Sequence, residues 1–303
     1  MSKTITNHIS EYLDFCQSNK RLDPKTVKAY KIDLTQFVTS LSVSSVEDIS
    51  SENIKKYIAN LHQTYKPKTV KRKIASVKAF ISFLDEMELI TYNPFAKIHT
   101  KFREPVQLPR TIPLPTMELL LSSLYAYYHS AKTEYSRRSS LQAIAIIELL
   151  FATGIRISEL CSISTEDIDL INRRLKINGK GKKERILSIG NTSGLFIISE
   201  YKNEFSNEIK ASGLFFPVSD QIVRRMIRKH CKLAGITQHI TPHMFRHTFA
   251  SSLLEAGVDL RYIQDFLGHS SISITEIYTH TTLRKQTEIL STLHPRMNMN
   301  ING

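Results

Sequence analysis

The chain has 303 residues, 41% of them hydrophobic, and a formal net charge of +13. This length exceeds one typical domain and fits one small and one large domain, while the hydrophobic content excludes a wholly disordered chain. Basic residues outnumber acidic ones on both sides of residue 105. Because both halves of the chain are basic, they could hold a polyanionic partner between them. Charge alone fits an ordinary basic protein equally well.

The cysteines Cys16, Cys161 and Cys231 are scattered and form no Cys-x-x-Cys pair. They therefore predict neither a disulfide framework nor a zinc site. No apolar run approaches the roughly 18 residues of a membrane-spanning helix, and the N-terminus shows no signal-peptide pattern. We expect a cytoplasmic protein with no membrane partner.

Apolar residues keep helical spacing through about residues 4–19, 23–41, 51–61 and 67–88. Asp23 followed by Pro24 is a typical helix start. The fourth of these helices opens with a dense positive face. We predict that Lys71, Arg72 and Lys73 contact a polyanion there; the alternative is a solvated face.

A polar, basic stretch follows Asn93-Pro94 and contains four prolines, Pro105, Pro109, Pro113 and Pro115. Such a composition is typical of an extended linker. We therefore predict a helical domain at residues 1–98, a linker at 99–115 and a second domain at 116–303.

The second domain begins with three predicted helices, at about 116–130, from 134 or 136 to 153, and at 158–161. The middle one is apolar nearly all round and should be buried. Residues 168–170, 174–177 and 185–189 alternate as half-buried strands do, and the basic segment 178–183 joins the last two as a hairpin. A helix at 219–234 carries Arg224, Arg225 and Arg228. The fold class is thus mainly α with a small antiparallel sheet, a helical N-terminal domain preceding an α+β domain.

The stretch from residue 241 to 278 gathers side chains that suit chemistry on a phosphate. Thr241-Pro242 predicts a capped helix start, after which His243 and Arg246 share one face. A second short helix stops at Gly268, directly before His269, and Tyr278 follows nine residues later. Two helix ends can thus bring two histidines, an arginine and a tyrosine together.

Four features follow one another along the chain: the turn at residues 152–160 with Gly154 and Arg156, the Gly-Lys-Gly hairpin around Lys180, His243-x-x-Arg246, and Leu267-Gly268-His269 followed by Tyr278. In this order and at these separations they closely resemble the tyrosine recombinases, the phage-integrase and Xer-like family. The N-terminal part resembles the core-binding domain of that family at Thr26, Tyr30, Asp33, Leu34 and Phe37. Each motif alone is weak, whereas the full set in order is specific.

The resemblance implies a site-specific DNA recombinase that cuts and rejoins strands through a 3′-phosphotyrosyl intermediate, without metal or nucleotide cofactor. Tyr278 would attack the phosphorus, and Arg156 and Arg246 would clamp the non-bridging oxygens. Lys180 would protonate the leaving 5′-oxygen, and His243 would assist proton transfer at the tyrosine.

Two further roles come from the same resemblance. His269 would add a hydrogen bond to the phosphate, and Glu159 would brace the first arginine. Taken singly, each of these residues has an ordinary structural explanation, such as a surface arginine or a half-buried aromatic.

The chemistry of these residue types agrees with the implied reaction. Arginine binds two phosphate oxygens with its planar fork and stays ionised, and donors placed near developing charge are usually the largest catalytic contribution. The sequence offers no Asp and Glu cluster of the kind that holds magnesium, which argues against a two-metal nuclease.

Further DNA contacts are expected from Lys182 and Lys183 in the hairpin and from Arg224, Arg225 and Arg228, most of them to phosphates. The expected partner is double-stranded DNA with specific recombination sites. By resemblance, the tail after Tyr278, with Ile289, Leu290 and Leu293, docks on a neighbouring subunit in a homotetramer on two sites; packing on its own domain is the alternative. An accessory or directionality protein is a further possible partner.

Two other functions remain open at this point. A type IB topoisomerase shares the tyrosine chemistry, and an accessory DNA-binding protein could have lost catalysis. The separate basic N-terminal domain and the tail favour recombination over the first, and the complete residue set disfavours the second. We also expect Tyr278 to be poorly placed until DNA and a neighbouring subunit are bound.

Overall fold

The computed structural model describes residues 4–96, 98, 110–179, 184–268 and 283–299. The chain divides into two compact units, residues 1–107 and 108–303. The described part is mainly helical with one small antiparallel sheet, as the sequence predicts.

The first unit is a helical bundle. Its helices are α1 (Ile5–Ser18), α2 (Pro24–Leu41), α3 (Ser51–Thr64) and α4 (Pro67–Glu86). The carboxylate of Asp23 accepts a 2.8 Å hydrogen bond from the backbone N–H of Lys25, which confirms the predicted start of α2. Buried aromatic rings fill the core, where Tyr12 packs against Phe80 and Phe83 at centroid distances of 5.5 and 5.2 Å.

A buried carboxylate joins α2 to α4 and changes the interpretation of the basic face. Asp33 is fully buried and accepts from Lys73 at 3.1 Å and from the Ser76 hydroxyl at 2.8 Å. Arg72 also pairs with Asp33, and its side chain stays half exposed. The prediction that Lys73 contacts DNA is therefore wrong, because its ammonium group is buried and committed to Asp33. Lys71 is exposed, as a DNA contact requires.

The second unit contains the remaining elements. Its helices and strands are α5 (Leu114–His129), α6 (Glu134–Thr153), α7 (Ile157–Leu160), β1 (Ile168–Asp169), β2 (Arg174–Asn178), β3 (Glu184–Ser188), α8 (Thr192–Glu204), α9 (Ser206–Ser212), α10 (Asp220–Leu233), α11 (Pro242–Glu255), α12 (Leu260–Leu267), α13 (Leu283–Thr292) and a 3₁₀ helix (Pro295–Asn298). The C-terminal half of α6 is buried on all sides, which confirms that it is the buried helix of this unit.

This unit begins earlier than predicted. Helix α5 starts at Leu114, and Ile112 is already buried in the core of the unit. The backbone N–H of Ile112 donates a 2.7 Å hydrogen bond to the Thr248 hydroxyl. Ile112, assigned to an extended linker, therefore packs in the core of the second unit, and Leu114 and Pro115 already belong to α5.

The sheet has the order β1-β2-β3, with both pairs antiparallel. Leu175 of β2 faces Leu187 of β3 across the ladder, and both are buried. This pairing confirms the predicted hairpin strands, while residues 180–183 at its tip lie outside the described residues.

The C-terminal segment packs on its own unit. Ile289 and Leu290 are buried in the same core as α6, whereas Leu293 is exposed. Beyond α13, Arg296 forms a buried ion pair of 3.1 Å with Glu148 of α6. The expected docking of this segment on a neighbouring subunit stays a prediction. No helix within the described ranges is long and apolar enough to span a membrane.

Candidate active site

The end of α6 sets the position of the first predicted arginine. Gly154 ends the helix in the left-handed region, with φ +62°, and its N–H donates to the Leu150 carbonyl at 3.0 Å. A side chain at this position would clash, because a Cβ would lie 2.6 Å from Phe249 and 3.1 Å from Leu267. Glycine is therefore required both by its backbone conformation and by the close approach of α11 and α12. The turn it makes places Arg156 at the N-terminus of α7.

Glu159 fixes Arg156 from inside the same turn. Its Oε2 accepts from the backbone N–H of Arg156 at 2.7 Å, and its Oε1 accepts from Arg156 Nη1 at 2.9 Å. The Arg156 side chain remains 38% exposed. Burial alone would raise the pKa of Glu159, but hydrogen bonds from Arg185 and Arg156 outweigh it and lower that pKa.

Arg246, the second predicted arginine, is buried on α11. Its Nη1 donates to the Gly154 carbonyl at 2.9 Å, and its Nη2 donates to the Leu267 carbonyl at 2.6 Å. Burial, with the positive charge of Arg156 second, lowers its pKa to about 10, so it is still charged at neutral pH. Arg246 thus ties the end of α6 to the end of α12.

His243 lies one turn before Arg246 and is exposed. Partial desolvation lowers its pKa below the ordinary value, and the charges of Arg224, Arg246 and Arg156 act in the same direction. The imidazole is therefore mainly neutral at neutral pH and can accept a proton. The predicted cap at Thr241 makes no side-chain cap hydrogen bond, although Pro242 occupies the first turn as expected.

The described residues bring part of the predicted site together. Arg156, Glu159 and Arg246 converge on the turn at Gly154, and His243 lies within electrostatic reach of both arginines. Lys180, His269 and Tyr278 lie outside the described residues, as do the predicted DNA contacts Lys182 and Lys183. On α10, Arg225 and Arg228 are exposed and Arg224 is half-buried.

Two residues near the site are absent from the predicted set. Arg185 of β3 donates to both oxygens of Glu159, at 3.1 and 2.9 Å. His247 lies one helical turn after His243, and partial burial, with His243 and Arg246, lowers its pKa. The sequence marks Arg185 only by its position in β3: it lies two residues before the buried Leu187, so both side chains point to the same face of the strand. The spacing of His247 from His243 is visible in the sequence, but nothing else there marks it.

The arrangement is suited to binding an anion. Three guanidinium groups, those of Arg156, Arg185 and Arg246, surround one carboxylate, so the cluster keeps excess positive charge. Within the described ranges, no group of three or more His, Cys, Asp and Glu side chains could hold a metal ion. A tetrahedral phosphate placed beside Arg156 and Arg246 would meet donors whose directions are already fixed.

Comparison with known proteins agrees with this geometry. The model of the phage integrase family matches residues 121–284, and that of the phage integrase N-terminal SAM-like domain matches residues 9–87. A tyrosine recombinase of Agathobacter rectalis is 55% identical over 298 residues, which cover 96% of this chain and 97% of that protein. This chain belongs to the phage integrase family. It is a tyrosine recombinase, an enzyme of site-specific DNA recombination.

More distant relatives also align with the recombinase over nearly its whole length. The tyrosine recombinase XerD of Staphylococcus saprophyticus is 32% identical over 95% of this chain and 98% of its own length. The tyrosine recombinase XerC of Thermodesulfovibrio yellowstonii is 33% identical over 95% of this chain and 96% of its own length.

Solved structures share the fold of the recombinase. A lambda integrase (75–356) dimer bound to a COC′ core site aligns with TM-score 0.68 at 17% identity, over 91% of this chain and all of that one. The XerH recombinase in a post-cleavage complex with palindromic difH aligns with TM-score 0.67 at 19% identity, over 95% of this chain and 82% of that one. The architecture is thus that of DNA recombinases with a helical and a catalytic domain.

Proposed function

We propose that Arg156 and Arg246 hold the scissile phosphate of a DNA recombination site while Tyr278 attacks it. The observation that carries the proposal is that Arg246 binds the carbonyl of Gly154, two residues before Arg156, and so joins both arginines in one cluster. Separate elements, α11 and the turn after α6, thus supply one positive site.

Charge balance supports a phosphate as the missing partner. Glu159 neutralises one of the three guanidinium groups around it, and the others keep their charge. A phosphodiester brings one negative charge, and its five-coordinate transition state concentrates more of that charge on the non-bridging oxygens. Fixed donors at those oxygens stabilise the transition state by about 3–4 kcal/mol each.

The protonation states of the side chains determine which residue takes up a proton and which one supplies it. The Oη–phosphorus bond of Tyr278 forms as the phosphorus–O5′ bond breaks, so the tyrosine must lose a proton and the alkoxide must gain one. The neutral imidazole of His243 takes the tyrosine proton, and Lys180 supplies the proton to the leaving oxygen. General acid–base help of this kind contributes about 10²–10⁴-fold each. His269 donates a further hydrogen bond to the phosphate.

The tyrosyl ester keeps the energy of the broken phosphodiester bond. A 5′-hydroxyl from a second DNA strand can therefore reverse the step without a nucleotide cofactor. Exchange of partners between two cuts gives recombination rather than hydrolysis. The same residues serve cleavage and rejoining, since one reaction is the reverse of the other.

DNA binding uses basic residues outside the cluster. Lys71 and Arg72 of α4, Lys182 and Lys183 of the hairpin, and Arg224, Arg225 and Arg228 of α10 contact phosphates. Residues 99–111 connect the helical N-terminal domain, which holds DNA, to the catalytic domain. Affinity should fall steeply with salt, by a slope of about 0.9 per phosphate contact on a double-logarithmic plot.

The working assembly is a homotetramer on two DNA sites. The lambda integrase dimer and tetramer complexes, the latter on a Holliday junction, are DNA-bound assemblies of structural neighbours and support it. In such an assembly the segment after Tyr278 contacts a neighbouring protomer.

Covalent capture of DNA tests the proposed function. The purified protein is incubated with sheared genomic DNA of its source organism, quenched in detergent, and the DNA that remains attached is sequenced. We expect one enriched site, and plasmids that carry two copies of it should recombine. Relaxation of unrelated supercoiled plasmid at any sequence would favour a topoisomerase instead, and no attached DNA would favour a protein without catalysis.

A further inference from the structure

Arg185 of β3 is nearly buried, with 11% of its side chain exposed, and all three of its guanidinium nitrogens have partners. Nη1 and Nη2 bind the two oxygens of Glu159 at 3.1 and 2.9 Å. Nε donates to the backbone carbonyl of Phe266 at 2.9 Å. A charged side chain on the buried face of a strand is costly unless its donors are satisfied in this way.

These contacts join segments that the proposed function assigns to one reaction. Glu159 braces Arg156, and Phe266 lies at the end of α12, shortly before His269. Arg185 itself follows Glu184, the first residue of β3 after the hairpin tip with Lys180. The fit at α12 is close, because a Cβ on Gly268 would lie 3.0 Å from Arg185 Nη1.

We propose that Arg185 is a positioning residue for strand cleavage, acting through Glu159 on Arg156. The inference rests on the proposed function, since it concerns the same phosphate site. Arg185 occupies one edge of the Glu159 carboxylate, so Arg156 holds that carboxylate with only one side-chain nitrogen. The rest of the Arg156 fork is left to face the phosphate.

Loss of Arg185 would change how the remaining pair is made. A carboxylate and a guanidinium that meet alone close into a bidentate pair with two parallel hydrogen bonds. Without Arg185, both oxygens of Glu159 would bind the guanidinium of Arg156. That pairing would turn the guanidinium of Arg156 away from the phosphate. A lysine at position 185 would keep the positive charge but could not reach both carboxylate oxygens and the Phe266 carbonyl together.

Single-turnover cleavage of a nicked duplex built on the captured site tests the role. We expect Arg185→Met to lower the rate of covalent-complex formation by about 10²–10³-fold, the effect of removing one fixed donor from a transition state. DNA affinity should change by less than about 3-fold, because no DNA contact is removed. Arg185→Lys should unfold at the same temperature as the wild type and still form the covalent complex at least about 10-fold more slowly. That result would show that Arg185 positions the site and is not needed merely for folding.

A double-mutant cycle distinguishes action through Glu159 from a general structural role. In a Glu159→Gln background, Arg185→Met should lower the rate by less than about 3-fold, because the pathway is already broken. Arg138→Met is the matched control, since Arg138 pairs with Glu204 and Glu208 away from the cluster and should leave the rate unchanged. Equal losses from Arg185→Met in both backgrounds would contradict action through Glu159.

The leaving group provides a second test. A substrate with sulfur at the bridging 5′ position needs no proton donor, so it rescues a defect in Lys180 but not one in the phosphate clamp. We expect no rescue of Arg185→Met, and full rescue would overturn the proposed route. A wild-type protein that forms no covalent DNA would overturn the proposed function, whereas an active wild type with an equally active Arg185→Met would overturn the role of Arg185 alone.

Discussion

Arg246 Nη1 donates a 2.9 Å hydrogen bond to the carbonyl of Gly154, 92 residues earlier in the chain. Its Nη2 binds the Leu267 carbonyl in the same way, at 2.6 Å. These two bonds use two of the five N–H donors of the guanidinium, and after burial the positive charge of Arg156 is the largest influence on its pKa. The orientation of the proposed phosphate clamp is therefore fixed before any ligand arrives.

Arg246→Lys should abolish most of the cleavage activity without unfolding the protein. Lysine keeps the charge but cannot hold two carbonyls and a phosphate at once. We expect the rate of covalent-complex formation to fall by about 10²–10³-fold, with DNA affinity changed by less than about 3-fold. The control is Arg138→Lys, which changes an arginine paired with Glu204 and Glu208 away from the cluster and should retain the wild-type rate. An equally active Arg246→Lys would show that charge alone suffices at this site.

Much of the fold could be predicted because local signals agreed with it. Helix α12 has the predicted bounds Leu260–Leu267, since Asp259 caps its start and Gly268 takes the left-handed conformation at its end. Gly154 ends α6 for the same reason. These features depend on neighbouring residues only, and the sequence shows them directly.

Tertiary contacts explain what the sequence could not show. Arg185 shares strand parity with Leu187, yet its partners Glu159 and Phe266 are 26 and 81 residues away. Burial along β3 also does not follow the apolar residues of its sequence. Arg185 and Leu187 face inward, while the apolar Ile186 between them is 47% exposed. Periodicity alone does not reveal a buried arginine whose partners come from other elements.

Lys71 and Lys73 of α4 are a matched pair that separates DNA contact from folding. Lys71 is exposed, whereas Lys73 is 3% exposed and paired with the buried Asp33. Lys71→Gln should weaken DNA binding and reduce the salt slope by about 0.9. Lys73→Gln should instead lower the free energy of unfolding by about 3 kcal/mol, because it breaks a buried ion pair.

Binding isotherms at several salt concentrations and denaturant unfolding measure these two effects. The reverse pattern, with Lys73→Gln reducing the salt slope in a stable protein, would restore Lys73 as a DNA contact.

The ion pair between Glu148 and Arg296 should hold the C-terminal segment on the second unit. Glu148 is fully buried, and the Arg296 side chain is 5% exposed. Among the described residues, Arg296→Met would leave the carboxylate with the Tyr125 hydroxyl as its remaining donor. We expect a loss of about 3–5 kcal/mol in the free energy of unfolding. The double variant Glu148→Met with Arg296→Met should recover much of this loss, since it removes the unpaired buried charge.

The control for this prediction is Arg137→Met, which breaks a partly exposed pair with Glu204 and should leave the free energy of unfolding nearly unchanged, because solvent screens such pairs. Equal effects of Arg296→Met and Arg137→Met would mean that the tail is not held by this pair.

His294 should make stability depend on pH. Its Nε2 donates to the Phe151 carbonyl at 2.7 Å and its Nδ1 accepts from the Arg296 N–H at 3.1 Å, so these contacts need the neutral ring. Complete burial lowers its pKa to about 4. The unfolded chain therefore binds the proton first, and stability is full above about pH 6.5 and falls towards pH 4, by up to about 1.4 kcal/mol per pH unit.

Thermal or denaturant unfolding between those pH values measures the slope. His230, whose pKa burial also lowers to about 4, adds to the slope with the same sign. His294→Gln should therefore flatten the dependence without removing it. An unchanged slope in that variant would show that His294 already binds its proton in the folded state.

Mapping the covalent protein–DNA bond tests the proposed reaction most directly. After cleavage of a nicked duplex that carries the captured site, the protein is digested and the peptide that retains a nucleotide is identified by mass spectrometry. We expect the phosphate on Tyr278 and no covalent complex from Tyr278→Phe. A phosphate on another residue, or a covalent complex that persists in Tyr278→Phe, would contradict the proposal.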